Sequence, residues 1–342
     1  MGAYAIRRGL LIIPTLLLLT ILVFLLVRLM PGNIVDVMVQ DLIQMNTTSG
    51  GASSTTASGI DINRAEIERR LGLDVPIFTQ YARWLGVART PNPETGKLEY
   101  DGILQGNLGK SLRSDRSMSQ EILNRVPITF ELNFLAMLIG LIAIPIGIYS
   151  AIRQDSWLDW TARSVSILAM AAPAFWLATM LIAYASRWHI WSPPEYVRFS
   201  HNPIANLKIM IVPAVIMAIG SIGGSVRVLR TITLEVLRQD YVRTAWAKGL
   251  GERVIVLRHA FKNALIPFVN DVAGTIGMIF SGSVIMENIF NLPGMGRYTY
   301  NMIIQRDYWV VSGINLIFGI MTLVMILLTD LAYAVVDPRV HY

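Results

Sequence analysis

From Leu10 to Val27 the chain runs eighteen residues without a charged side chain. As a helix rising 1.5 Å per residue, that run reaches about 27 Å, close to the thickness of a bilayer's hydrocarbon layer. Lipid offers no partners for peptide groups, so a helix, which satisfies its own backbone, is the structure such a run can take there. Comparable runs recur, and spans are predicted at about 9–29, 128–151, 164–187, 209–227, 267–288 and 312–336. Composition agrees: charged residues make up 15% of the chain, against about a quarter in soluble domains. The sequence therefore predicts an all-α integral membrane protein with six transmembrane helices. Arg7 and Arg8 precede the first run as they would in a secretory signal. Its core is longer than a signal's apolar region and no small-residue cleavage site follows, so a retained helix is predicted.

Loop charges set the orientation. With the N-terminus inside, thirteen Lys and Arg fall on the inner segments and five on the short outer loops. Both termini are therefore expected on the cytoplasmic side of a bacterial or archaeal inner membrane. This placement also accounts for the basic balance of +6 without nucleic acid as a partner. The predicted organisation is an N-terminal span (1–29), an extracytoplasmic region (30–127) and a five-helix core (128–342) with a cytoplasmic loop at 228–266. In the outer region, the Ser/Thr/Gly tract 46–59 reads as a flexible loop. A helix is predicted from Asn63 to Gly72. Pro76 starts a second, with Ile77, Tyr81, Trp84 and Leu85 on one face.

Several chemistries are excluded or disfavoured. The chain lacks cysteine, and its four histidines are scattered without metal-ligand spacing. Gly109-Lys110-Ser111 evokes a phosphate loop, yet Leu104 stands where that pattern needs glycine. Gly223-Gly224-Ser225 suits close helix packing better than an intramembrane serine hydrolase, which would need a base partner. Glu131, Glu287 and Asp330 are acids within or near spans and are the candidates for an ion-coupled path, the alternative reading of an ion-gradient-driven secondary transporter.

Residues 243–267, RTAWAKGLGERVIVLRHAFKNALIP, set five basic side chains against Glu252. Gly249 and Gly251 divide the strip into a short helix, a turn and a longer helix. On the longer helix Val254, Leu257, Phe261 and Leu265 mark an apolar face. This is a helical hairpin on the cytoplasmic membrane surface. Lipid attraction explains its charge. It does not explain the small, exposed surface expected of Thr244, Ala245 and Ala247 before the Lys248-Gly249-Leu250 turn, which suits a cleft on a partner.

DYVRTAWAKGLGERVIVLRHAFKNALIP (240–267) resembles the cytoplasmic "EAA" loop of binding-protein-dependent ABC importer permeases, in the dipeptide, oligopeptide and nickel branch. Trp246 stands where arginine is frequent there, and Arg243 where the eponymous glutamate would be. The likeness extends to RLMPGN (28–33), LGLDVPIFTQYARWLG (71–86), GNLGKSLR (106–113), RVPITFELNFLAMLIG (125–140), SGSVIMENIFNLPGMGRYTYNMIIQRDYWVV (281–311) and DPR (337–339). The tract at 46–59 and PNPETGKLEYDG (91–102) look like insertions.

The resemblance implies a type I importer permease (MetI-like) fold with an extracytoplasmic insertion between helices 1 and 2. It implies a second homologous permease, two cytoplasmic ABC ATPases and an extracytoplasmic solute-binding protein. ATP and Mg would reside on the ATPases, with no cofactor on this chain and no reaction catalysed by it. Arg243, Thr244, Ala245, Ala247, Lys248, Gly249 and Leu250 would form the coupling helix that seats in the ATPase. Asn288, Asn291, Pro293, Gly294 and Gly296 would form an element at the outer mouth, touching the receptor or gating the path. Gly277, Ser281, Gly282 and Ser283 would offer small surfaces for packing or for substrate. Peptide is the expected substrate, with nickel and oligosaccharide the branch's alternatives.

Overall fold

The computed structural model describes residues 2–29, 74–91, 97–111, 116–256, 261, 283–305 and 307–336. These residues are overwhelmingly helical. The elements are α1 (Gly2–Leu29), α2 (Ile77–Leu85), β1 (Thr90–Pro91) paired antiparallel with β2 (Leu98–Glu99), and a 3₁₀ turn at Ile103–Gln105. Then follow α3 (Met118–Gly140), α4 (Ala143–Ile152), α5 (Trp157–Ala171), α6 (Ala174–Arg187), α7 (Pro203–Leu237), α8 (Asp240–Ala247), α9 (283–289), α10 (Met295–Ile304) and α11 (Tyr308–Val336).

Among the described residues four helices are long and apolar enough to cross a membrane: Arg7–Leu26, Met118–Ile152, Pro203–Leu237 and Trp309–Leu331. The bent pair α5–α6 makes a fifth if counted as one span. Most of the expected span 267–288 lies outside the described residues, as do the tract 46–59 and the expected helix at 63–72. One expectation is corrected. The span at 164–187 is not one helix, because α5 and α6 meet at 87°. Pro173 is the cause: its ring drives the preceding residue out of the helical region, and Ala172 is extended, with ψ 116°. A milder break separates α3 from α4. Pro145 has no N–H to offer the Leu141 carbonyl, which accepts instead from Ile144 at 3.0 Å.

By Cα proximity the chain divides into two compact units. One comprises Met1–Ile12, Asn124–Tyr300 and Ile320–Tyr342; the other comprises Ile13–Leu123 and Asn301–Gly319. In the first, Ile128, Leu132 and Ala136 of α3, Ala178 of α6, and Ile209, Met210, Ala214 and Ile216 of α7 form a core with Met286, Phe290 and Leu292. Small residues let the helices close on it. A Cβ on Gly147 would lie 2.7 Å from Leu229 Cβ, and one on Gly223 would lie 2.6 Å from the Ser166 carbonyl oxygen. The packing role expected of Gly223 is thus seen directly. A Cβ on Gly224, beside it, would meet nothing within 4 Å among the described residues.

In the second unit, α2 lies against α1. Pro76 precedes its first turn, and Gly86 ends it at φ 89°, a left-handed conformation that glycine adopts without strain. Tyr81 and Trp84 pack on Phe24, with ring centroids 5.3 and 5.6 Å away. The 109–111 stretch serves packing rather than phosphate. Gly109 sits against Trp309 and Met118, and the buried Ser111 hydroxyl donates to Asp307 Oδ2 at 2.7 Å.

Candidate functional site

The candidate coupling segment begins where α7 ends. After Arg238 the chain turns and α8 starts, Val242 and Arg243 donating to the Gln239 carbonyl. Positions 242 and 245 then fall on one side of a 3.6-residue helix. Val242 and Ala245 are buried there with Ile255, and Leu237 packs against them. Gly249, at φ 76°, closes the helix, with its N–H donating to the Trp246 carbonyl at 2.9 Å and that of Leu250 to Ala245 at 3.3 Å. A helix-ending turn of this hand strongly favours glycine.

Of the seven residues expected in the coupling helix, Arg243, Thr244, Ala247, Lys248, Gly249 and Leu250 are exposed. Ala245 is 5% exposed, so the small exposed surface does not include it. Its methyl faces inward, on the side of α8 that packs with Val242 and Ile255. The exposed face includes two rings, Tyr241 and Trp246, that were not counted among the coupling residues. On the return limb the buried position is Ile255, while Val254 is exposed. Leu257 and Leu265 of the expected apolar face lie outside the described residues.

Beside the hairpin's root lies a cluster that sequence reasoning missed. Asp159, in the first turn of α5, is fully buried. Arg230 of α7 meets it with both ends of its guanidinium, Nε to Oδ1 at 2.6 Å and Nη2 to Oδ2 at 2.8 Å. The Ser150 hydroxyl of α4 donates to Oδ1 at 2.5 Å, and the Asp155 N–H to Oδ2 at 3.0 Å. Arg163 approaches at 3.4 Å while its guanidinium lies over the Trp160 ring. A buried carboxylate so placed has its lone pairs taken up, the condition under which a buried pair holds. Just beyond α4, Arg153 pairs with Glu252 of the hairpin at 3.7 Å. The available signal was Asp159 in an apolar run facing Arg230 in another, which becomes visible only once the two helices are paired.

The second candidate, 288–296, is a tight connection between α9 and α10 built around Glu287. That carboxylate is fully buried. It accepts from the Thr129 hydroxyl at 2.7 Å and the Arg297 N–H at 2.9 Å, with the Ser283 hydroxyl also donating. Thr129 in turn accepts from the Met295 N–H at 2.8 Å. The acid thus caps the N-terminus of α10, where free N–H groups and the helix dipole favour negative charge. Gly294 and Gly296 make room for it: a Cβ on Gly294 would lie 2.5 Å from Glu287 Oε2, and one on Gly296 3.0 Å from the same atom. Both glycines are buried, whereas Asn291 is exposed at φ 56° and its carbonyl accepts from Arg297. Asn288 donates back into α9, and the Pro293 carbonyl accepts from Arg125.

Of the acids considered for an ion path, Glu287 therefore has a structural role. Asp330 pairs with Arg8 at 3.1 Å. Glu131 accepts from Asn206 at 3.4 Å and has no ion pair among the described residues. Burial, reinforced by the Glu131 carboxylate, raises the Tyr196 hydroxyl above its usual range. Gly277, Ser281 and Gly282 lie outside the described residues.

Comparison with known proteins bears on these surfaces. Residues 143–342 match the family model described as the binding-protein-dependent transport system inner membrane component. The chain is 35% identical over 344 residues to a Brucella suis (biovar 1, strain 1330) protein that carries the name of a peptide transport system permease, with both chains covered in full. It is 32% identical over 347 residues to the oligopeptide transport system permease protein AppB of Bacillus subtilis (strain 168), again covering both in full. It is 33% identical over 367 residues, with the same coverage, to the dipeptide transport system permease protein DppB of Alkalihalophilus pseudofirmus.

Proposed function

The chain belongs to the family of binding-protein-dependent transport inner membrane components, and we propose that it carries di- and oligopeptides, powered by ATPases that seat on α8. Its role as a permease subunit, non-catalytic and embedded as a multi-pass protein in the inner membrane, follows from that family. The substrate class rests on the relatives it matches over their full length, two of which are named for oligopeptide and dipeptide transport. The assembly comprises a second homologous permease, two cytoplasmic ATPases that hold ATP and Mg, and an extracytoplasmic solute-binding protein. Both termini face the cytoplasm.

The observation that carries the coupling role is the division of α8 into two faces. Val242 and Ala245 lock it to Leu237 and Ile255, while Arg243, Thr244, Trp246, Ala247 and Lys248 stay exposed. A partner that grips the open face cannot move α8 without moving the end of α7. Arg230 lies seven residues before Leu237, about 10 Å along the helix. Its two-point grip on Asp159, with Ser150 on the same carboxylate, carries that movement to α5 and α4. Closure of the ATPases on ATP then favours one access state through contacts the other state lacks, as any coupled change requires. At the outer mouth, Asn288, Asn291 and Pro293 meet the receptor, while Gly294 and Gly296 hold the loop's shape around Glu287.

Trp246→Asp tests the dock. It places a charge on the open face and leaves the buried face intact. The variant inserts normally but fails to copurify with ATPase and fails to take up peptide. Full ATPase retention with normal uptake would overturn the docking role.

A further inference from the structure

The helix α2 carries an apolar surface that the transport role does not use. Phe78 is 84% exposed, and Ile77 beside it and Val87 just past the helix are exposed as well. On a soluble surface such a ring would be a liability, but the level at which α2 sits changes its meaning. Tyr81 hydrogen-bonds Thr20 at 2.7 Å; because the Thr20 hydroxyl already donates to the Leu17 carbonyl, Tyr81 is the donor. Tyr81 and Trp84 also pack on Phe24. Thr20 and Phe24 are seven and three residues short of Val27, where the uncharged run of α1 ends. At 1.5 Å per residue, α2 therefore touches α1 about 5–10 Å inside the end of its membrane-crossing run.

That is the depth at which amphipathic helices lie in the boundary between headgroups and acyl chains. The neighbouring surface of α1 is of one kind with it: Leu18, Leu22 and Leu26 are exposed large apolar side chains, as a lipid-facing surface requires. Tyr81 and Trp84 are the residue types that gather at such interfaces.

We infer that α2 is an interfacial helix, held to α1 by Tyr81 and Trp84, with Phe78 and Ile77 inserted among the lipids of the leaflet at the Val27 end of the span. The occupant of this surface is the bilayer itself, because the surface continues the lipid-facing side of α1 at the same level. In this arrangement the membrane holds the start of the outer region in place.

The chain has no cysteine, which makes single spin labels in it unambiguous. The test uses the assembled importer in phospholipid vesicles, with cysteines in the other subunits replaced. Nitroxides are placed at Phe78→Cys, at Leu22→Cys as a lipid reference and at Lys97→Cys as an aqueous one. Collisions with oxygen and with a water-soluble nickel chelate are then compared. The label at 78 is expected to match that at 22, oxygen-accessible and shielded from nickel, at a depth of about 5–10 Å. Nickel access like that at 97 would overturn the inference by placing Phe78 in water. Shielding from both reagents would overturn it by showing a protein partner there.

Discussion

Arg230 holds Asp159 by two parallel hydrogen bonds of 2.6 and 2.8 Å, joining α7 to α5 at a carboxylate that no solvent reaches. Forked geometry of this kind fixes orientation as well as distance. With Ser150 on the same carboxylate, three helices meet at one charge.

Removing one member leaves the other charged and buried, at a cost of about 3–5 kcal/mol. Arg230→Met is therefore expected to lower the thermal midpoint of the purified permease sharply. The double variant Asp159→Leu/Arg230→Met should recover most of that loss, since apolar replacement of a buried pair is often neutral. It should not recover coupling. The number of ATP hydrolysed per peptide imported should stay high, because the stiff link is gone. Recovery of both stability and coupling would assign the pair to folding alone.

The cap on α10 offers a second test. Thr129→Val removes the hydroxyl that serves both Glu287 and the Met295 N–H, leaving two buried groups short of a partner. Each such group costs about 1–3 kcal/mol, so a marked drop in thermal stability is expected, with Thr129→Ser close to the parent. Gly294→Ala should be at least as damaging, since its methyl would overlap the carboxylate. Thermal unfolding followed by a fluorescent size-exclusion assay reads both.

Hairpin integrity and docking can be separated. Ala245→Glu forces a charge into the contact with Val242 and Ile255, so proteolysis at 240–256 should accelerate before any partner is added. Trp246→Asp should leave that proteolysis unchanged and lose only the ATPase. If both variants cleave alike, the exposed face has a structural role that the packing does not suggest.

Much of this was legible in the chain. Four of the expected spans reappear as long helices because continuous apolar runs leave the backbone little else to do in lipid. Gly249 was legible as a turn because only a few residue types enter left-handed backbone readily. The break at Pro173 was also written in the sequence, yet the apolar run hid it, since hydropathy is blind to backbone direction. Ala245 could not be assigned a side from composition: a small residue suits both a buried contact and an open cleft. Asp159 and Glu287 were obscured for a shared reason. The worth of a buried carboxylate depends on which distant donors the fold brings to it, here Arg230 and Ser150 for one and Thr129 for the other.

In the proposed assembly, ATP hydrolysed on the partner ATPases drives import through this chain by way of α8. The most direct measurement is uptake of a labelled tripeptide into vesicles holding the complete importer, with ATP enclosed on the ATPase side and the solute-binding protein on the other. Uptake is predicted to require both ATP and the binding protein, to survive collapse of proton and sodium gradients, to persist in Glu131→Gln and Asp330→Asn, and to vanish in Trp246→Asp. Uptake that proceeds without ATP, falls with an ion gradient and disappears with either acid would contradict it.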